Sequence, residues 1–292
     1  MQPNTEKLFW DIIKCPLQSN SKCNSILSTQ CALDFKIPEP WNGDIENAEV
    51  MIIGYNPALD PLEVYPSYNI HTQNWNPICS INASLSWSHN NVEDFFENRF
   101  NAKCVCGQKK YVQFSNNYAC SQVLNNSCQY KKSQNPYWKT TIEYALAVCG
   151  KPLSIDNIVY TDAIHCKSSS SRGCTSAVFN ECVDKYLKRI IDIFINNNNK
   201  NPKYILLIGA KLNSKLSKIL NQPTINSSVI GNYTYTRKKV GKTKEIKTKE
   251  IKKYDTQGNV VLISPLPLPS GANNACSNIT INGIVINWNK RS

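Results

Sequence analysis

The chain has 292 residues, with 33 Lys plus Arg against 21 Asp plus Glu and a formal net charge of +12. That length can bury one substantial core in a single domain spanning residues 1–292; the charge favours polyanions, phosphate first among them, and no apolar run approaches the length of a membrane-spanning helix. Thirteen cysteines without a secretory signal argue for free thiols or metal ligation rather than a disulfide framework, and for a cytoplasmic protein; a monomer is expected.

Residues 6–13 space their apolar side chains as a helix does. Residues 50–57, Val-Met-Ile-Ile-Gly-Tyr-Asn-Pro, form an apolar run that ends in Gly54, Asn56 and Pro57, followed by Ala58. This is the pattern of a buried parallel strand delivering a polar residue to the crevice beyond its carboxyl end, where ligands of open α/β sheets bind; an ordinary strand and Pro turn would read the same way. Just downstream stand Asp60 and Glu63, reserve carboxylate bases or plain turn residues. The long aromatic and polar stretch 65–135 lies beside Asn56 and is the expected lid, with Trp75, Trp87, Phe95, Phe96 and Arg99 available to pack over or line a site. Within it, Cys104, Cys106, Cys120 and Cys128 suggest a metal-stapled insertion at about residues 79–135, zinc being the default ion and independent thiols the alternative. His71, His89 and His165 read as ordinary histidines or spare ligands.

A second helix is predicted at 140–149. Residues 157–166 repeat the strand pattern, with Ile158-Val159-Tyr160 running into Thr161, Asp162 and on to His165-Cys166. A helix at 177–194, an Asn-rich connector at 196–200, a strand at 204–208 ending in Gly209-Ala210 and a helix at 212–220 follow. Residues 233–256 are strongly basic, with Arg237, Lys238 and Lys239 leading into two copies of Lys-Glu-Ile-Lys. They read as a long hairpin or loop that tracks a nucleic-acid backbone, or as a solvated ribbon of mixed charge. The last strand, 260–264, opens into Pro-Leu-Pro-Leu-Pro-Ser-Gly-Ala-Asn-Asn at 265–274. Alternation of strand and helix implies a parallel sheet.

Three strand ends carrying Gly54–Ala58, Thr161–Lys167 and Pro267–Asn274 in this order resemble the uracil-DNA glycosylase superfamily over most of the chain. The resemblance implies a three-layer α/β/α sandwich around a central, mostly parallel four-stranded sheet. It places Asn56 in the water-activating loop, Gly54, Tyr55 and Ala58 around the base, and Pro269, Ser270, Gly271 and Asn273 in the loop that holds DNA. Leu268 stands where most of the superfamily has a His, and between two prolines it is an apolar wedge of the kind that enters a base stack, or a core residue. The mechanism implied is base flipping followed by hydrolysis of the N-glycosidic bond to leave an abasic site.

Asp162 occupies the place of a base-reading Asn. An ionised Asp only accepts, so it opposes O4 of uracil and suits the N4 amine of cytosine; protonated by burial, it would also donate to N3. A strand-end carboxylate that caps the next turn or pairs with Arg172 is the bland alternative. Ala58 leaves room beside C5 where uracil-strict enzymes place an aromatic ring. Both features resemble phage-defence glycosylases that remove glucosylated hydroxymethylcytosine. Uracil excision in repair, and a catalytically inactive DNA-binding relative, are the alternatives.

Cys166 and Cys182 match the two C-terminal cluster ligands of the iron–sulfur branch of that superfamily, which implies a 4Fe–4S cluster. Its N-terminal ligands are expected from Cys15 and Cys31, with Cys23 as the alternative. Buried free thiols are the competing reading.

Overall fold

The computed structural model describes residues 1–15, 23–28, 30, 35–59, 65–69, 74–75, 77–79, 82–98, 136–151, 153–197, 202–215, 219, 224–237, 245–256, 260–267 and 276–286. In chain order these form α1 (Pro3–Ile13), α2 (Asn24–Leu27), β1 (Phe35–Lys36), β2 (Val50–Gly54), β3 (Ser67–Asn69), β4 (Asn74–Trp75), β5 (Pro77–Cys79), β6 (Asn82–Ser86), α3 (His89–Asn98) and α4 (Pro136–Cys149). They continue with β7 (Ile158–Asp162), α5 (Ser176–Cys182), α6 (Lys188–Asn196), β8 (Lys203–Ile208), α7 (Ala210–Asn213), β9 (Thr224–Arg237), β10 (Glu245–Thr256), β11 (Val260–Leu266), β12 (Cys276–Ile281) and β13 (Ile284–Ile286).

The four apolar runs picked out by pattern become β2, β7, β8 and β11, which pair in parallel in the spatial order β7-β2-β8-β11. Their alternation serves both faces. Met51, Ile53, Val159, Ile205, Leu207 and Leu262 point to one side, where α1, α3, α5 and α6 supply Leu8, Phe9, Phe96, Phe179 and Phe194. Val50, Ile52, Ile158, Tyr160, Leu206, Ile208 and Ile263 point to the other, against Tyr144, Ala145 and Ala147 of α4. Burial on both faces is why these strands are continuously apolar.

The sheet is larger than the four strands expected. Beyond β11 it continues antiparallel through β10, β9, β12 and β13, giving eight strands in a mixed α/β fold. The added strands escape a search for apolar runs because only some of their residues reach the core, Tyr233, Ile251, Ile279 and Ile281 among them.

Two other expectations change. Trp87, Phe95 and Phe96 do not line a lid: they are buried with Phe9, Trp41 and Tyr65 in edge-to-face contacts that hold α3 onto α1. Six aromatic rings bury more apolar area against one another than a solvent-facing lid could. Trp75 is half-buried against Tyr68 and His89, and Arg99 lies outside the described residues. The helix expected at 212–220 is present as the short α7, with only Ile219 described beyond residue 215. The 177–194 helix forms but is interrupted between α5 and α6 by a π-helical turn at Val183–Leu187.

Candidate active site

Strands β2 and β7 run parallel with Gly54 opposite Asp162, so both carboxyl ends finish at one level. Alternation puts Tyr160 and Asp162 on one face of β7, and the Tyr160 hydroxyl donates to Asp162 Oδ1 at 2.9 Å. The carboxylate is 1% exposed. Only glycine fits beneath this pair, because a Cβ at residue 54 would stand 2.1 Å from the Tyr160 oxygen and 2.2 Å from Asp162 Oδ1. The Gly that ends the apolar run is thus the floor on which the buried carboxylate rests.

Past Gly54 the chain crosses to the loop after β7. Ser168 N donates to Pro57 O at 3.1 Å and Leu59 N to Ser168 O at 3.1 Å, a short bridge between the two loops. It locks the Asn56 amide. Asn56 Nδ2 donates to Ser168 Oγ at 2.9 Å and to Pro57 O at 3.0 Å, while Ser171 Oγ donates to Asn56 Oδ1 at 2.7 Å. Ser171 takes φ 60°, a left-handed conformation that costs a non-glycine residue something and aims its hydroxyl at Asn56. Ser168 Oγ lies 3.5 Å from Cys174 Sγ, a contact in which either atom can donate. Burial pushes the Cys174 thiol up, with the Ser168 hydrogen bond and the Lys211 charge opposing and Asp162 adding to the rise.

Tyr55, between Gly54 and Asn56, is half-buried. Its ring stacks on Phe179 at 5.9 Å and 14°, its hydroxyl donates to Cys174 O at 3.4 Å, and Lys211 Nζ lies 4.5 Å from its ring centre. Lys215 caps Phe179 in the same way at 4.8 Å. Ser168, Ser171, Cys174 and Lys211 were not singled out from the sequence. Ser168 and Ser171 fall in a run of four serines, and nothing in such a run distinguishes the two that reach Asn56.

Beneath this surface lies a buried ion pair. Lys167 Nζ is 3.4 Å from Glu39 Oε2, with side chains 2% and 4% exposed. It also donates to Ala58 O at 3.0 Å and sits 4.1 Å from the Tyr65 ring centre. One lysine therefore ties the Asn56 loop to the segment before β2. His165 Nδ1 is 2.8 Å from Glu39 O, which only accepts, so the proton is on Nδ1; burial pushes this imidazole down to about 4 and it is neutral. His89 packs on Trp10 and Trp75 at the start of α3.

Four thiols gather behind the loop. Cys15 follows α1, Cys23 precedes α2, Cys166 follows β7 and Cys182 ends α5; all are buried thiols outside any disulfide. Cys182 hydrogen-bonds with Cys23 and accepts from the His165 backbone N–H. Burial, then the neighbouring Cys23 and Cys15, pushes Cys166 well up, and Cys182 rises through Cys23 and burial. Lys185 Nζ, from the π-helical turn, lies 3.9 Å from Cys15 Sγ. Gly173 (φ 72°) makes the approach of α2 feasible, since a Cβ there would meet Ser25 O at 1.9 Å. Among the described residues, no group of three or more His, Cys, Asp or Glu could hold a metal ion as it stands. Four neighbouring thiols are the donor type that iron–sulfur clusters use.

Asp60, Cys31, Leu268, Pro269, Ser270, Gly271, Asn273, Lys238, Lys239 and the four cysteines at 104, 106, 120 and 128 lie outside the described residues, as do Glu63 and His71. Arg237 ends β9. Arg172 closes its turn through the backbone, its N–H donating to Ser169 O at 2.9 Å. No helix among the described residues is long and apolar enough to cross a membrane. No family model matches the chain, and no curated protein matches its sequence.

Proposed function

We propose that this protein is a DNA glycosylase that flips a modified base out of DNA and hydrolyses its N-glycosidic bond, with a C5-substituted cytosine of phage DNA as the favoured base. The observation that carries the reading is that two adjacent parallel strands end at one level, one in Asp162 and the other two residues before Asn56, with Gly54 packed closely against the Tyr160–Asp162 pair. In this reading β7, β2, β8 and β11, between α4 and the α1/α5/α6 layer, are the superfamily sandwich, and the antiparallel strands are an addition to it.

Asn56 cannot act as a strong base, and its role is positional. Both amide protons are committed to Ser168 and Pro57, and one lone pair of Oδ1 accepts from Ser171; the second lone pair is left to orient a water against C1′. A fixed amide of this kind contributes through orientation and through stabilising a cationic sugar as the base departs. Asp162 accepts from the N4 amine of a cytosine edge, while Tyr160 holds its other oxygen. Lys211 adds positive charge beside the Tyr55 ring, favourable for a phosphate or a departing base anion.

Cys15, Cys23, Cys166 and Cys182 would hold the 4Fe–4S cluster. When bound, it supplies a rigid cross-link between the N-terminal segment and the elements after β7. No redox step is assigned to it.

The test is alkali-induced strand cleavage on single- and double-stranded oligonucleotides carrying uracil, cytosine, 5-hydroxymethylcytosine or its glucosylated form, with Asn56→Ala as control. Cleavage confined to the modified cytosines supports the reading. Cleavage at uracil alone returns the protein to repair and refutes the edge-matching argument for Asp162. Binding without cleavage makes it a DNA-binding relative that has lost activity.

A further inference from the structure

The register of β10 against β11 has Lys252 opposite Ser264 and Asp255 opposite Val261, with the strands antiparallel. Glu245–Ile251 therefore lie past the last paired residue of β11, at the carboxyl end of the parallel strands, the end where Gly54 and Asp162 finish. β9 accompanies them, from Ile251 opposite Gly231 to Glu245 opposite Arg237. The pair rises past β11 as a ribbon of up to seven residues, roughly 20 Å at about 3.3 Å per residue, flanked on its β9 edge by β12, which pairs with Gly231 to Tyr235.

One face of this ribbon continues the core face. Ile251 is fully buried and Tyr233 is 5% exposed, both in the cluster that includes Tyr160. Two and four residues outward on the same face stand Lys249 and Lys247, opposite Tyr233 and Tyr235. Lys249 Nζ lies 5.3 Å from the Tyr235 ring centre. At the positions where a strand serving only the core would carry apolar residues, the sequence places lysines on tyrosines. The opposite face carries exposed Ile246, Thr248 and Glu250. Glu250 lies 3.5 Å from Lys252 and Asp255 3.1 Å from Lys253.

We infer that the Tyr235/Lys247/Lys249 face is an arm that grips the phosphate backbone of duplex DNA beside the site, on the same sheet face and at the same end as Asp162. This rests on the proposal that DNA is the substrate. Binding to single strands relies on open aromatic faces for bases to stack on, and here Tyr233 is buried and Tyr235 is covered by Lys249, so the ribbon offers charge without a stacking platform. Four strand positions separate β10 from β7, on the order of 20 Å of flat sheet, enough to hold the duplex away from the flipped nucleotide.

The experiment is fluorescence anisotropy of wild type, Lys247→Gln/Lys249→Gln and the equal-charge control Lys252→Gln/Lys253→Gln on a labelled duplex across a salt series. The first pair is expected to lower the slope of log affinity against log salt by about 1.8, or about 0.9 per phosphate contact, while the control keeps the wild-type slope. In parallel, lysine acetylation of the wild type with and without duplex reads the same contact without a variant: DNA should protect Lys247 and Lys249 and leave Lys252 reactive. Equal slopes for the two double variants, no protection, or ribbon-dependent preference for single strands would overturn the inference. If the slope change appears and no abasic site forms on any duplex, the arm stands and the glycosylase reading falls.

Discussion

Replacing Gly54 by Ala tests the architecture of the candidate site directly. The new methyl would stand 2.1 Å from the Tyr160 hydroxyl oxygen and 2.2 Å from Asp162 Oδ1, and neither group can withdraw into solvent, at 4% and 1% exposure. Overpacking of a filled core costs about 1–3 kcal/mol. Forcing apart the 2.9 Å bond between Tyr160 and the buried carboxylate adds roughly 1.5–3 kcal/mol, for a total of about 2.5–6 kcal/mol. Urea unfolding followed by circular dichroism should show a lower midpoint with an unchanged m-value. The cycle with Asp162→Ala isolates the cause. Removing the carboxylate relieves one of the two collisions, so the double variant should be more stable than the sum of the singles predicts, by about 1 kcal/mol or more. A Gly54→Ala protein within about 0.5 kcal/mol of wild type, or strict additivity, would show that Gly54 does not support the Tyr160–Asp162 pair.

Glu39→Gln strands the Lys167 charge in a site 2% exposed and should cost about 3–5 kcal/mol, with Glu39→Gln/Lys167→Met recovering part of it in the same unfolding assay. Ser168→Ala removes one of the three hydrogen bonds that hold the Asn56 amide; if abasic-site formation is observed, kcat should fall about tenfold or more while KM changes little, and a change confined to KM would contradict the positional role. Cys182→Ser should lower the iron and acid-labile sulfide content of anaerobically purified protein and its broad visible absorbance; unchanged content would remove Cys182 from the proposed ligand set. Burial pushes the Cys149 thiol up to about 11, so its thiolate fraction is small until pH rises toward that value. At pH 8, peptide mass mapping after iodoacetamide treatment should find Cys149 alkylated more slowly than Cys174, whose rise is opposed by Ser168 and Lys211.

The parallel half of the sheet was legible because β2, β7, β8 and β11 are buried on both faces and so nearly pure in apolar residues. The basic hairpin read over 233–256 forms from β10 and the end of β9, but the first half of β9 was not legible: Ile225 and Val229 are exposed, and Asn-Ser-Ser between them has the composition of a loop. Pairing with β10, a long-range fact, makes it a strand. The same distinction holds at the site. Asn56 and Asp162 announce themselves as polar residues ending apolar runs. Ser168 and Ser171 act on Asn56 across more than a hundred residues of chain, and local pattern carries no trace of that distance. The aromatic stretch misled for a related reason, since Trp87, Phe95 and Phe96 pack with partners on α1 and before β2, and sequence proximity to Asn56 said nothing of that.

The strand order β7-β2-β8-β11 also has a meaning during synthesis. The first long strand the ribosome releases, Val50–Gly54, ends up between two neighbours that are made much later. Until Ile158–Asp162 and then Lys203–Ile208 emerge, both edges of a wholly apolar strand have no native partner in the sheet, the situation in which nascent chains join the wrong neighbours. Production of this protein should therefore depend on elongation rate and on holdase chaperones acting between those two points of translation. A circular permutant beginning upstream of Ile158–Asp162, which delivers β2 last into a waiting gap, should be the more soluble form when both are translated without chaperones.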